Sequence, residues 1–238
     1  MTDMQLPSID GLPGYRRRFR ITPTPDRVLT ELEDDYHCMS VTVIHDGTRA
    51  TALEPAMHRS PWTTCPGAIV VLKQMFTGIA LNAFAQHGDR RANCTHLHDL
   101  AVLGAAHAFD TEPLVYDILV SDPVDGKRRA ELRRNGVTEL AWSEIGGRFV
   151  EPAEMVGLTL HKLGPWIQTL DPQRQEMTRL LRWGNLVAGG RLLSLQHLSD
   201  AMRMPEGVCY TFQAQRKVDA KRIGEIRDFS KGAVLFDK

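Results

Sequence analysis

Two short polar stretches hold the residue types that move protons. Asp34-Asp35-Tyr36-His37 sets an imidazole beside two carboxylates and a phenol, and Cys94-Thr95-His96-Leu97-His98-Asp99 sets two imidazoles with a thiol and a carboxylate. Histidine is the side chain whose ordinary pKa lies near neutrality, and an adjacent carboxylate fixes its tautomer and raises its basicity. In the first stretch His37 therefore reads as a general base. The bland alternative makes Asp34 and Asp35 turn formers, Tyr36 a packing residue and His37 a hydrogen-bonded strand residue.

In the second stretch Cys94 and His98 are four residues apart and share one helix face, with His96 turned away. A zinc ion would have to recruit Cys65, Cys38 or His37 to complete a tetrahedral set, so no metal and no cofactor is assigned. The structural alternative is a helical first turn in which Thr95 and Asp99 satisfy orphan amides and Cys94 is a small buried hydrophobe. Cys65, just before Pro66, stands where a helix start would favour a thiolate nucleophile, although a buried structural thiol is the commoner outcome. The chain has no G-x-G-x-x-G, G-x-x-x-x-G-K-[ST], G-x-S-x-G or H-E-x-x-H, which removes the local support for nucleotide, serine-hydrolase and zinc-protease chemistry.

Residues far apart in sequence have to be brought together by the elements that carry them. Residues 1–14, with Pro7, Gly11, Pro13 and Gly14, read as a flexible arm, and 15–238 as one α+β domain. Period-two alternation from Tyr15 onwards predicts an antiparallel strand meander over 15–53, broken by Pro23-Thr24-Pro25 and Asp46-Gly47. Helical spacing predicts helices within 66–108, with Asn93 as N-cap of the second and small residues such as Gly104 on its buried face. Strand chemistry returns over 114–142 with a turn at Asp125-Gly126, and helices follow over 158–198, Pro172 starting one and Gly189-Gly190 interrupting it. In the C-terminal segment 208–238, Cys209 to Gln213 reads as a last short strand and 222–228 as a charged closing segment. This order of strands, helices, strands and helices predicts α+β antiparallel layers rather than an alternating parallel sheet.

Composition narrows the partners. The 238 residues are 42% hydrophobic, enough to build a core at this length, and Lys+Arg and Asp+Glu are equal at 29 each. A neutral chain offers no electrostatic footprint for a phosphate backbone or an anionic bilayer, so neither nucleic acid nor membrane is an expected partner. No apolar run approaches the ~18 residues that span a bilayer, and no signal peptide is read at the start. Four dispersed cysteines without a C-x-x-C pair fit a reducing, cytoplasmic setting. A homo-oligomer stays open.

Leu32-x-Asp34-Asp35-x-His37-x-Met39, the isolated Cys65 before an apolar helix ending at Gly78, and Cys94-Thr95-His96-Leu97-x-Asp99-Leu100 together resemble a bacterial family known as a domain of unknown function. The resemblance covers roughly residues 15–110. Tyr36 and Cys38 depart from the family pattern around the histidine. Some relatives are similar to γ-formaldehyde lyases of lignin-derived aromatic dimer catabolism, which release a hydroxymethyl group as formaldehyde and leave a stilbene. The resemblance implies a cofactor-independent lyase acting through a quinone methide on a small aromatic substrate. In that reading His37, supported by Asp35, is the base at the γ-hydroxyl, and His96 or Tyr210 handles the phenol or the leaving oxygen. Tyr36, Trp142, Phe212 and Arg222 are the substrate-binding candidates, with Trp166 as a further aromatic wall. Two other classes stand beside it: a non-catalytic ligand-binding or interaction protein, and a zinc-dependent hydrolase built on Cys94, His96, His98 and His37.

Overall fold

A computed structural model describes residues 8–193 and 195–236, with the backbone alone at Gln196. Its strands are β1 (Gly14–Thr24), β2 (Arg27–Asp34), β3 (Cys38–His45), β4 (Ala50–Arg59), β5 (Leu114–Ser121), β6 (Lys127–Arg134), β7 (Val137–Ile145) and β8 (Arg148–Glu151). Its α-helices are α1 (Ala68–Phe76), α2 (Thr95–Ala106), α3 (Gly164–Ile167), α4 (Pro172–Ala188) and α5 (Ala214–Lys217), joined by several 3-10 turns. The strands form one antiparallel sheet in the order β4-β3-β2-β1-β5-β6-β7-β8, an α+β fold. The chain gathers into two compact units, one of Met1–Arg17, Tyr116–Leu195 and Asp228–Lys238, the other of Arg18–Val115 and Gln196–Arg227.

The second unit carries both proton-moving stretches. Alternation places Val28, Thr30 and Leu32 of β2 and Met39, Val41 and Val43 of β3 in the core. Helix α2 lies across them. The buried Thr30 hydroxyl bonds to the carbonyls of Val41 (3.0 Å) and Leu100 (2.9 Å), linking strand and helix. A Cβ on Gly104 would stand 3.3 Å from methyls of Thr30 and Val43, so the close approach depends on that small residue.

In the first unit, tight turns set the register of β5 to β7. Asp125-Gly126 has φ of 49° and 72°, and Asn135-Gly136 has 48° and 82°, the left-handed pairs that match strand twist in two-residue hairpins. Asp171 caps α4 by accepting from the Arg174 amide, and Pro172 follows at the first helical position. Gly184 of α4 faces Ile118 of β5, where an added Cβ would meet the Ile118 Cγ2 at 2.6 Å.

Several sequence expectations are corrected. The arm is ordered from Ser8, which caps a 3-10 turn over Ile9–Gly11; Ile9 is fully buried and Arg16 bonds to the carbonyls of Ile9 (3.0 Å) and Leu12 (2.7 Å). The first seven residues of the arm lie outside the described residues. Cys94, not Asn93, occupies the N-cap of α2; the Asn93 side chain instead accepts from the Cys94 amide at 2.7 Å. The helix expected from Leu158 is reduced to a 3-10 turn over Leu160–Lys162 and the single turn α3, because Gly164-Pro165 withholds a backbone donor and interrupts propagation. Cys209 to Gln213 forms turns, not a strand: the Tyr210 amide reaches the Asn93 carbonyl (2.9 Å), but no ladder continues from it.

Two stability outcomes follow. Gly184→Ala gains up to about 1 kcal/mol of helix propensity, but the buried, β-branched Ile118 has little room to yield, and overpacking of this kind costs roughly 1–3 kcal/mol. A lower urea midpoint at unchanged slope is expected. Separately, the Arg133 hydrogen bond, aided by Ser8, holds the Asp10 carboxyl at about 2 against an ordinary 3.8. A depressed folded-state pKa adds stability that is present above the unfolded value and lost as pH falls through the folded one. Arg133→Gln should therefore flatten the fall in stability between about pH 4 and pH 2, measured by urea unfolding at stepped pH.

Candidate acid–base site

The turn Asp34-Asp35-Tyr36-His37 closes the β2–β3 hairpin, with the Asp34 amide bonded to the His37 carbonyl at 2.9 Å. Two-residue hairpin loops usually use left-handed residues, yet Asp35 and Tyr36 keep negative φ. Side chains hold the loop instead. Asp34 Oδ1 accepts from the amides of Tyr36 and His37, both at 2.8 Å, an aspartate turn closed on its own backbone. From outside, Arg59 donates to the carbonyls of Asp34 (2.7 Å), Asp35 (2.8 Å) and His37 (3.2 Å) and to Glu33 Oε1 (3.1 Å). The Arg227 amide adds a bond to the Asp35 carbonyl at 2.9 Å, which docks the 222–227 segment onto the turn.

This scaffold aims one imidazole. His37 Nδ1 lies 2.9 Å from Asp34 Oδ1 and 3.2 Å from Oδ2. With the carboxylate as acceptor, Nδ1 is the donor and Nε2 of the neutral ring is left as a proton acceptor. The supporting carboxylate is thus Asp34, not Asp35. The aspartate-turn geometry selects it, because Oδ1 has to reach the amides two and three residues onward, which brings it to the His37 ring. Asp35 contributes its carbonyl to the Arg59 clamp.

His96, in the first turn of α2, comes in from the helix side. Its ring centre is 3.9 Å from that of His37, with planes tilted by 32°. His37 and His96 are both buried, at 7% and 8% exposure, and Asp34 has none. Among the described residues, Asp34, His37 and His96 are also the one trio whose donor atoms lie within 4.8 Å of one another, a carboxylate and two imidazoles that a divalent ion could use. Their present arrangement favours proton transfer. Imidazoles sharing a tetrahedral ion at about 2.1 Å per bond hold their ring centres roughly 5 Å apart, and these rings are stacked closer than that. Asp34 Oδ1 is in addition already engaged by two amides and an imidazole.

The remaining candidates disperse. His98 turns into the core, its ring 5.2 Å from that of Phe76 and its Nδ1 3.8 Å from Asp99. Neither it nor Cys94 joins the trio, which removes the ligand set of Cys94, His96, His98 and His37. Burial raises the thiols of Cys65 and Cys94 above their ordinary range and pushes Cys209 up to about 11, so none is an activated nucleophile. Cys65 accepts from the Thr211 hydroxyl (3.3 Å) and packs with Trp62 and Phe212. Tyr36 is buried with its ring edge-on to His37 at 6.2 Å. The ring of Tyr210 lies under the Arg216 guanidinium at 3.9 Å, and its hydroxyl borders Gly67. Phe212 and Arg222 converge on Trp62, 5.9 Å away in each case, and Arg222 donates to the carbonyls of Pro61 (2.8 Å) and Ile223. Trp142 belongs to the first unit and packs edge-on against Phe149. A cleft of about 480 Å³ in the second unit is lined by Glu33, Met57, Arg59, Ile223 and Arg227 among others; it borders the clamp, and neither His37 nor His96 lines it.

Sequence reading missed Asp34 as the orienting group, Arg59 and Trp62. Only Asp34 left a signal, since an aspartate three residues before a histidine at a hairpin end suits this turn.

Asp34→Asn preserves an acceptor oxygen for the two amides but offers His37 an amide donor. The neutral ring should then shift toward the tautomer protonated on Nε2, read from the ¹⁵N shifts of His37. An unchanged tautomer would remove Asp34 as the orienting group. No protein-family model matches the chain, and no curated protein matches it.

Proposed function

We propose that this protein is an acid–base carbon–carbon lyase that releases formaldehyde from the γ-hydroxymethyl group of a phenolic, lignin-derived aromatic dimer. The observation that carries the acid–base part is the Asp34–His37–His96 arrangement, with one imidazole oriented by a carboxylate and a second ring stacked at 3.9 Å. The choice of substrate rests on the resemblance carried by residues 15–110.

The chemistry asks little else of the protein. Ionisation of the para-phenol expels the α-oxygen and gives a quinone methide. His37 Nε2 then takes the γ-hydroxyl proton, the γ-oxygen forms the carbonyl of formaldehyde, and the bond between the β and γ carbons breaks. Its electron pair becomes the stilbene double bond and returns the ring to a phenolate. In this reading His96, beside His37, protonates the departing α-oxygen, so one ring accepts while its neighbour donates.

The test incubates the full chain with free-phenol phenylcoumaran and diarylpropane dimers, with and without a chelator, following formaldehyde and stilbene absorbance together. Chelator-resistant release of both products is expected, and His37→Gln should lower it by about 10²–10⁴-fold with circular dichroism unchanged. No turnover on any dimer would return the chain to the ligand-binding class. Turnover abolished by the chelator would instead make the same trio, whose donor atoms lie within 4.8 Å of one another, a metal site that rearranges to take the ion.

A further inference from the structure

The first unit contains a second chemically distinct place, independent of the lyase reading. We infer that the cavity between Trp142 and Trp166 binds a small zwitterion of the amino-acid class through its ammonium, its carboxylate and an apolar side chain. The cavity has a volume of about 200 Å³ and lies where β7, the segment after β8, and helices α3 and α4 meet. At about 10–15 Å³ per water-sized position it has room for roughly 13–20 such positions, more than the about nine heavy atoms of leucine require.

Charge selects the ligand. Glu139, Glu154 and Arg174 line the cavity, all three are exposed, and among the described residues none of their side chains has an ion pair or hydrogen bond. Two carboxylates and two indoles lining one cavity suit an ammonium, which a ring quadrupole also attracts. A simple organic cation would meet repulsion from Arg174, and a simple carboxylate would meet it from Glu139 and Glu154. A molecule with both charges gives each of the three side chains a counterpart, with Arg174 free for bidentate contact with the carboxylate.

Burial adds a separate observation. Thr178 of α4 lines the cavity and has no exposure, yet its hydroxyl has no hydrogen-bond partner among the described residues. An unsatisfied buried hydroxyl costs about 1–3 kcal/mol; because Thr178 has no exposure to the cavity, a polar ligand atom meets that need only where the side chains covering the hydroxyl yield on binding. The apolar floor of Trp142, Leu140 and Leu170 accepts a hydrocarbon side chain.

The experiment titrates the full chain with L-leucine, with its amine-only analogue isoamylamine and with its acid-only analogue 4-methylpentanoate, by calorimetry and tryptophan fluorescence. Saturable binding of leucine is expected, at least about tenfold tighter than either analogue. Arg174→Gln and Trp166→Ala should each weaken it by about tenfold or more, and Thr178→Val, which keeps the shape and removes the hydroxyl, should weaken it with near-ultraviolet circular dichroism unchanged. Absence of leucine binding at millimolar concentration overturns the proposal. Equal binding of one analogue, or full leucine affinity in Trp166→Ala, overturns it as well. The aromatic-dimer assay is read separately, so failure of this site and failure of the lyase reading remain distinct.

Discussion

A hairpin loop of two residues without a left-handed backbone has to be held in shape by something other than its own dihedrals. Here the holding groups are the Asp34 carboxylate inside the loop and the Arg59 guanidinium outside it, which between them engage two amides and three carbonyls. Buried backbone groups of this kind are costly when unpaired, so the bonds fix the loop rather than decorate it. The position of the His37 ring depends on this fixation. Because Arg59 ends β4 and Asp34 ends β2, the geometry of the imidazole is inherited from the sheet, and rigid elements hold a reactive group better than mobile ones.

The partner ring is inherited from a different constraint. His96 stands in the first turn of α2, and α2 is seated on β2 and β3 by the Thr30 hydroxyl and by the missing side chain at Gly104. A bulkier residue at that contact would lift the helix and carry His96 away from His37, although neither histidine touches Gly104. The stacking distance of 3.9 Å is therefore set by packing well below the site. The thiols nearby remain neutral because burial dominates them, which leaves the imidazoles and carboxylates as the proton-handling side chains of the site.

Much of the architecture was legible because the signals are local. Alternation over Val28 to Val43 and the Asp-Gly and Asn-Gly turns specify hairpins from nearest-neighbour chemistry. The helix expected from Leu158 failed at Gly164-Pro165, where breaker residues outweigh apolar spacing. The strand expected at Cys209 failed for lack of a ladder, which no local pattern can reveal. At the site, the histidine was legible by residue type, but Asp34 and Asp35 are indistinguishable by composition and only the turn separates them. Arg59 was not legible at all: it lies more than twenty positions from the carbonyls it binds, in a strand whose pattern gives no reason to single it out. Trp142 shows a similar limit, since large aromatics are recognisable as buried without any indication of which core they enter.

The shortness of β8 has a consequence for how the sheet ends. Its pairing with β7 covers only Ser143, Glu144 and Ile145, so among the described residues the stretch from Val137 to Trp142 has no strand beside it on that flank. Open ladders of this kind recruit other chains unless charge or irregular backbone discourages them. Val137 is 64% exposed there; the exposed Glu139 puts a charge on the same stretch and the chain bends at Pro152 just past β8, the kinds of feature that discourage such pairing. The same acidic side chain that lines the cavity thus also keeps a charge on the open flank, and neutralising it would remove both that charge and any contact with a bound ammonium.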